Sequence, residues 1–161
     1  HDLLPNRVGG AVLQKNLETL GDIQYTQEEI DFALELQRNN GKPEIGIDGK
    51  IRPLRETLNS PGGGSTDSGD VSYNVPVVSL AATTAPKGVP WHSWSVVASS
   101  GMSIGHKGML HAAKALGMTM VDIFKDSKLR ENIKKEFDEK IGEYEYDPYL
   151  DPGPPPIDYV D

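Results

Sequence analysis

Residues 62–94 read GGGSTDSGDVSYNVPVVSLAATTAPKGVPWHSW: three consecutive glycines among hydroxyls and carboxylates, an apolar β-prone run, and a histidine between two tryptophans. Glycines without Cβ atoms let backbone N–H groups turn toward a ligand, and Ser65, Thr66, Asp67 and Asp70 add short polar arms. The stretch predicts a site built of loops. His92 follows Pro90 and Trp91, which stiffen and shield the turn, so its imidazole is expected to point in a fixed direction. Metal ligation needs such an imidazole, but a packed, satisfied side chain fits the same composition. The glycine loop is equally open to two readings, a ligand cradle and a plain linker. It lacks the Gly-Lys-Ser/Thr ending of a phosphate-binding loop, and Asp67 and Asp70 lack the alternating spacing of a calcium-binding EF-hand.

The 161 residues fit one domain that buries roughly two thirds of its unfolded surface. No apolar run approaches 18 residues and no charged-then-apolar start is present, so a soluble chain is expected, with the cytoplasm as the default location. Cysteine is absent, leaving His, Asp and Glu as the strong metal ligands. A formal charge of −8 argues against a nucleic-acid surface. Much of that charge falls after Gly142, where Glu143, Glu145, Asp147, Asp151, Asp158 and Asp161 meet no Lys or Arg.

Periodicity organises the rest. Asn6 makes an N-cap for a helix over residues 7–20 with Gly21 as its stop, and Thr26 with Glu29 forms a capping box for a second helix ending at Asn39-Asn40-Gly41. Residues 42–61 show no sustained period. Val75, Val77, Val78, Leu80 and Ala82 predict a buried strand within residues 71–84, with Pro76 near its start. From His106, Met109, Leu110, Ala112, Ala113, Leu116, Met120, Val121 and Phe124 recur at helical spacing over a wide apolar arc. Small residues there suit close approach to a sheet, which favours an α/β layer. Asp126 or Ser127 caps a last helix with the stripe Leu129, Ile133, Phe137 and Ile141. The tail from residue 143 is too rich in proline for helix and is expected to run extended, with tyrosines as anchors. His106 and His111 stand about 140° apart around a helix and do not form a metal pair. His1 carries no signal of its own.

Taken in order, GGGSTDSGDVSYNVP, GVPWHSW and SIGHKGMLHAAKAL resemble the C-terminal part of the catalytic domain in the M20 family of metallopeptidases and amidohydrolases, and within it those that hydrolyse aminobenzoyl-glutamate. The resemblance covers residues 1–142 and leaves 143–161 as an extended acidic Pro/Tyr tail. It implies an α/β fold, the C-terminal part of a mixed-sheet zinc-exopeptidase-like catalytic domain with flanking helices, lacking the lid domain and N-terminal portion. The family's last metal-ligand motif falls on His92 and Ser93, making His92 the implied metal ligand. Its substrate loop falls on Gly63, Gly64, Ser65, Thr66 and Asp67.

The same resemblance implies a site of two divalent metal ions, zinc or manganese, hydrolysing the amide of an N-acyl or aminoacyl substrate such as aminobenzoyl-glutamate or a dipeptide. The family's His-x-Asp ligands and glutamate base precede the lid and have no counterpart here; Glu28-Glu29 caps a helix instead. No catalytic residue is therefore assigned, and the isolated chain is expected to be inactive. The implied partners are the N-terminal part of the same enzyme, as a separate chain or a cleaved segment, and a second copy through the lid. No membrane or nucleic-acid partner is implied. The alternative is a non-catalytic binding or assembly module that retains the fold.

Overall fold

The fold, taken from a computed structural model of the chain, is described for residues 1–55, 66–149 and 153–154. Among these residues six helices run in order: α1 (Arg7–Leu20), α2 (Gln27–Asn39), α3 (Ser68–Ser72), α4 (Trp94–Ser100), α5 (Ser103–Lys125) and α6 (Ser127–Ile141). α1 lies against both α5 and α6, and α4 and α6 flank α5.

Local chemistry sets the ends of these helices. Asn6 caps α1 by accepting from the Gly9 N–H at 2.8 Å, and Gly21 ends it at φ 76°. Glu136 of α6 adds a second clamp, its two oxygens accepting from the Arg7 and Val8 N–H groups at 2.7 Å each. A carboxylate suits the positive end of a helix. Those hydrogen bonds, with one from Lys140, hold the Glu136 carboxyl below its usual range even though its burial acts the other way. Thr26 and Glu29 form the expected capping box of α2, and Asp126 caps α6 through the Leu129 N–H.

Asn6 also ties α1 to α6, because its Nδ2 donates to the Ile133 carbonyl at 2.9 Å in a buried setting. Asn6→Ala removes the cap and this cross-link together. It is expected to cost about 2 kcal/mol, read as a lower urea midpoint at constant m.

The α/β expectation does not hold: among the described residues there is no strand and no sheet, only an isolated parallel bridge between Pro5 and Val77. The predicted strand region divides instead. Val71 falls in α3, and residues 76–84 are non-helical, with no strand assigned. β-prone composition makes a strand only when a neighbour pairs with its backbone, and Pro76 brings no N–H to a ladder.

With no sheet to cover it, the wide arc of α5 is open. Met109, Leu110, Leu116, Met120, Val121 and Phe124 are all exposed, Phe124 to 76%. The buried side of α5 carries Ile104, Gly105, Gly108, Ala115 and Thr119. Gly108 lies so close to the Thr83 carbonyl that a Cβ would overlap it.

Candidate functional site

His92 stands in the loop between residues 85 and 93, and α2 fixes that loop from behind. Gln37, buried near the C-terminal end of α2, donates through Nε2 to the Lys87 carbonyl at 2.9 Å and to the Gly46 carbonyl at 2.9 Å. Its Oε1 accepts from the Ile45 and Gly46 N–H groups at 2.9 and 2.8 Å. Val89 is buried beyond Lys87, and Asn40 donates to Ser95 Oγ at 2.6 Å just past the histidine. Ser93 closes the turn by donating to the Pro90 carbonyl at 2.6 Å. Both flanks are thus anchored.

Between those anchors, His92 has φ 60°, and no other non-glycine residue among those described has positive φ. Histidine enters this left-handed region more readily than most residues, yet it still carries strain. The imidazole is exposed, and among the described residues it has no hydrogen-bond or ion-pair partner. The expected shielding is absent, since Trp91 and Trp94 are themselves exposed. What the loop fixes is the backbone, which presents an open imidazole.

The glycine loop is described only at its end. Gly63, Gly64 and Ser65 lie outside the described residues; Thr66 and Asp67 are exposed. Thr66 Oγ1 accepts from the Ser68 N–H at 3.3 Å, and Asp67, at the N-cap position of α3, makes no side-chain capping bond. No hydrogen bond or ion pair joins either residue to His92. Among the described residues, no three His, Asp or Glu side chains gather where they could hold a metal ion. The described residues by themselves therefore do not make up a two-metal centre, and His92 offers one open imidazole. His106 is exposed and His111 half-buried on α5, away from any such group.

Sequence reasoning missed a second cluster. His1 Nδ1 lies 2.8 Å from Asp70 Oδ1, and its Nε2 lies 2.8 Å from Tyr144 Oη. Tyr146 Oη donates to the same Asp70 oxygen at 3.0 Å. Burial, together with this bond to a carboxylate, raises the Tyr146 phenol above its ordinary pKa, so it stays a donor. The visible signal was Tyr-x-Tyr at residues 144–146 in an otherwise acidic segment.

The glycine-loop, histidine-turn and α5 motifs, in that order, define a relative of the amidohydrolases, and comparison with known proteins agrees. The chain is 33% identical over 157 residues to one of the subunits of the p-aminobenzoyl-glutamate hydrolase of Escherichia coli (strain K12), covering 83% of this chain. Over that stretch the chain is M20-family sequence, as its three motifs led one to expect. It spans about a third of the length of that relative, 33%. No protein-family model matches the chain, and no solved structure matches it. No helix among the described residues is long and apolar enough to cross a membrane.

Proposed function

We propose that the chain is the C-terminal piece of a metal-dependent amidohydrolase that cleaves the amide of an N-acyl or aminoacyl substrate, p-aminobenzoyl-glutamate being the first to test. The observation that carries this reading is the 33% identity to a hydrolase subunit of that name, running through all three motifs. His92 would supply one imidazole to a pair of divalent metal ions, zinc or manganese, whose other ligands come from the N-terminal part of the enzyme. The metals, when bound, supply Lewis-acid activation; Gly63, Gly64, Ser65, Thr66 and Asp67 would orient the substrate. An imidazole without a partner among the described residues, held in a strained backbone, supports that role for His92, because strain persists where surrounding anchors enforce it. The open apolar face of α5 supports a partner that covers it. Residues 1–142 would form this catalytic portion, with 143–161 as an appended segment.

Native mass spectrometry with metal analysis on the full gene product and its associated chains tests the reading. The expected result is a complex holding about two metal ions. His92→Gly is expected to lose metal while changing stability by no more than about 1 kcal/mol, because glycine relieves the left-handed strain but adds chain entropy. A lone chain without metal would overturn the hydrolase reading and leave a binding module.

A further inference from the structure

Residues 144–149, after α6, stay against the body of the fold. Beyond their hydrogen bonds to Asp70 and His1, they pack their rings around the same imidazole. His1 stacks on Tyr149 with centroids 4.5 Å apart and planes 5° apart, and meets Tyr146 at 5.3 Å and Tyr73 at 5.1 Å. The His1 side chain is left 7% exposed.

All of this converges on α3, the five-residue helix that follows the glycine loop. So short a helix does not hold its own orientation, because nucleation costs more than its few internal bonds return. Its position depends on outside contacts. Ser72, fully buried, accepts from the Leu4 N–H at 2.8 Å and donates back to the Gly69 carbonyl. Gly69 sits against the His1 carbonyl with no room for a Cβ. Asp70 is where the segment before α1 and the segment after α6 meet, taking Tyr146 Oη from the second and facing His1 Nδ1 from the first.

We infer that residues 144–149 form a strap closed over α3, and that Asp70 is a positioning residue which, held by Tyr146 and His1, sets the orientation of Thr66 and Asp67 toward a bound amide substrate. The strap belongs to the fold alone. The positioning role rests on the hydrolase reading above. Physically, a ligand loop misplaced by about an ångström loses productive alignment, and Asp70 lies three residues from Asp67 in the same short turn.

Hydrogen exchange on the full chain decides the strap. Tyr146→Phe keeps the ring and deletes the bond to Asp70; it is expected to speed exchange at the amides of residues 69–73 roughly tenfold, with α1 and α2 unchanged. Asp70→Ala is expected to do the same, and Asp70→Asn, which keeps an acceptor for the phenol, to restore most of the protection. Unchanged exchange in Tyr146→Phe and Asp70→Ala overturns the strap.

In the assembled enzyme with p-aminobenzoyl-glutamate, Tyr146→Phe is expected to raise KM roughly fivefold or more while metal content stays at the parent level. An unchanged KM overturns the positioning role. A parent enzyme without metal or activity overturns the hydrolase reading, and the positioning role with it; the exchange result still decides the strap.

Discussion

Gln37→Leu should cost about 4 kcal/mol of folding stability, the largest single-residue loss expected outside the apolar core. Gln37 is 0% exposed, and its amide satisfies two N–H donors, Ile45 and Gly46, and two carbonyls, Gly46 and Lys87. Leucine matches the volume and replaces none of those four bonds. Each orphaned buried group costs about 1–3 kcal/mol, reduced where relaxation admits water, as at Ile45, whose side chain is exposed. Urea unfolding should show a lower midpoint at constant m. Gln27→Leu on the exposed start of the same helix should stay within about 0.5 kcal/mol. A functional effect follows from the stability effect. Lys87 precedes the His92 turn, so its release should loosen that turn, and the fluorescence anisotropy of Trp91 and Trp94 should fall in the folded protein.

Gln37 also shows where sequence reading stops. The ends of α1, α2 and α6 were legible because cap chemistry is local: Asn6, Thr26 with Glu29, and Asp126 each act within three residues, and Gly21 and Gly142 end their helices with positive φ. The sheet was misread for the opposite reason. Val75, Val77 and Val78 have strand composition, but a strand is a relation between two segments, and among the described residues only Pro5 and Val77 bridge. On α5, periodicity grouped Met109, Leu116, Met120 and Phe124 on one face correctly, but the sheet expected beside this helix is absent among the described residues and that face is exposed. Spacing tells which side chains share a face and says nothing of what lies against it. The face that packs on α1 uses small and polar residues, Ala115 and Thr119, with Asn16 of α1 donating to Thr119 Oγ1 at 3.1 Å. Hydrophobicity gave no hint of that seam.

The candidate site divides the same way. The motif marked His92 as the implied ligand, while its backbone conformation and open exposure needed the three-dimensional structure. The cluster at Asp70 was legible only on one side: the tyrosines of the tail read as anchors, but their partner His1 lies 143 residues from Tyr144 and nothing local joins them.

Acid should weaken the fold through Glu29, and Glu29→Gln should flatten that response. Glu29 is 3% exposed on α2, where its Oε2 accepts from the Thr26 N–H at 2.7 Å and from Lys107 Nζ of α5 at 2.6 Å. Burial by itself would raise its pKa, but the hydrogen bonds from Lys107, Ser103 and Thr26 outweigh it and hold the carboxyl at about 2. The folded value is thus depressed below the ordinary value of 4.5. The sign of the linkage follows: the carboxylate's stabilisation is complete above about pH 4.5 and is lost as pH falls toward 2.

A shift of this size corresponds to about 3 kcal/mol, an upper figure because water screens part of the pair. Glu29→Gln should therefore lose about 2 kcal/mol at pH 7 and little at pH 2, since glutamine can still cap the Thr26 N–H but leaves Lys107 without its charge partner. Tyr25 gives a second readout. Burial first, then the charges of Glu29 and Asp48, push its phenol up to about 12, and the Lys107 ammonium lies 5.6 Å from its ring centre. Removing the Glu29 charge should lower the Tyr25 titration midpoint in an ultraviolet pH titration. If Tyr25 moves and the acid limb of the stability curve flattens together, one charge couples the start of α2 to α5. If the acid limb is unchanged in Glu29→Gln, other carboxylates set it, with Glu136 at the start of α1 the next to replace.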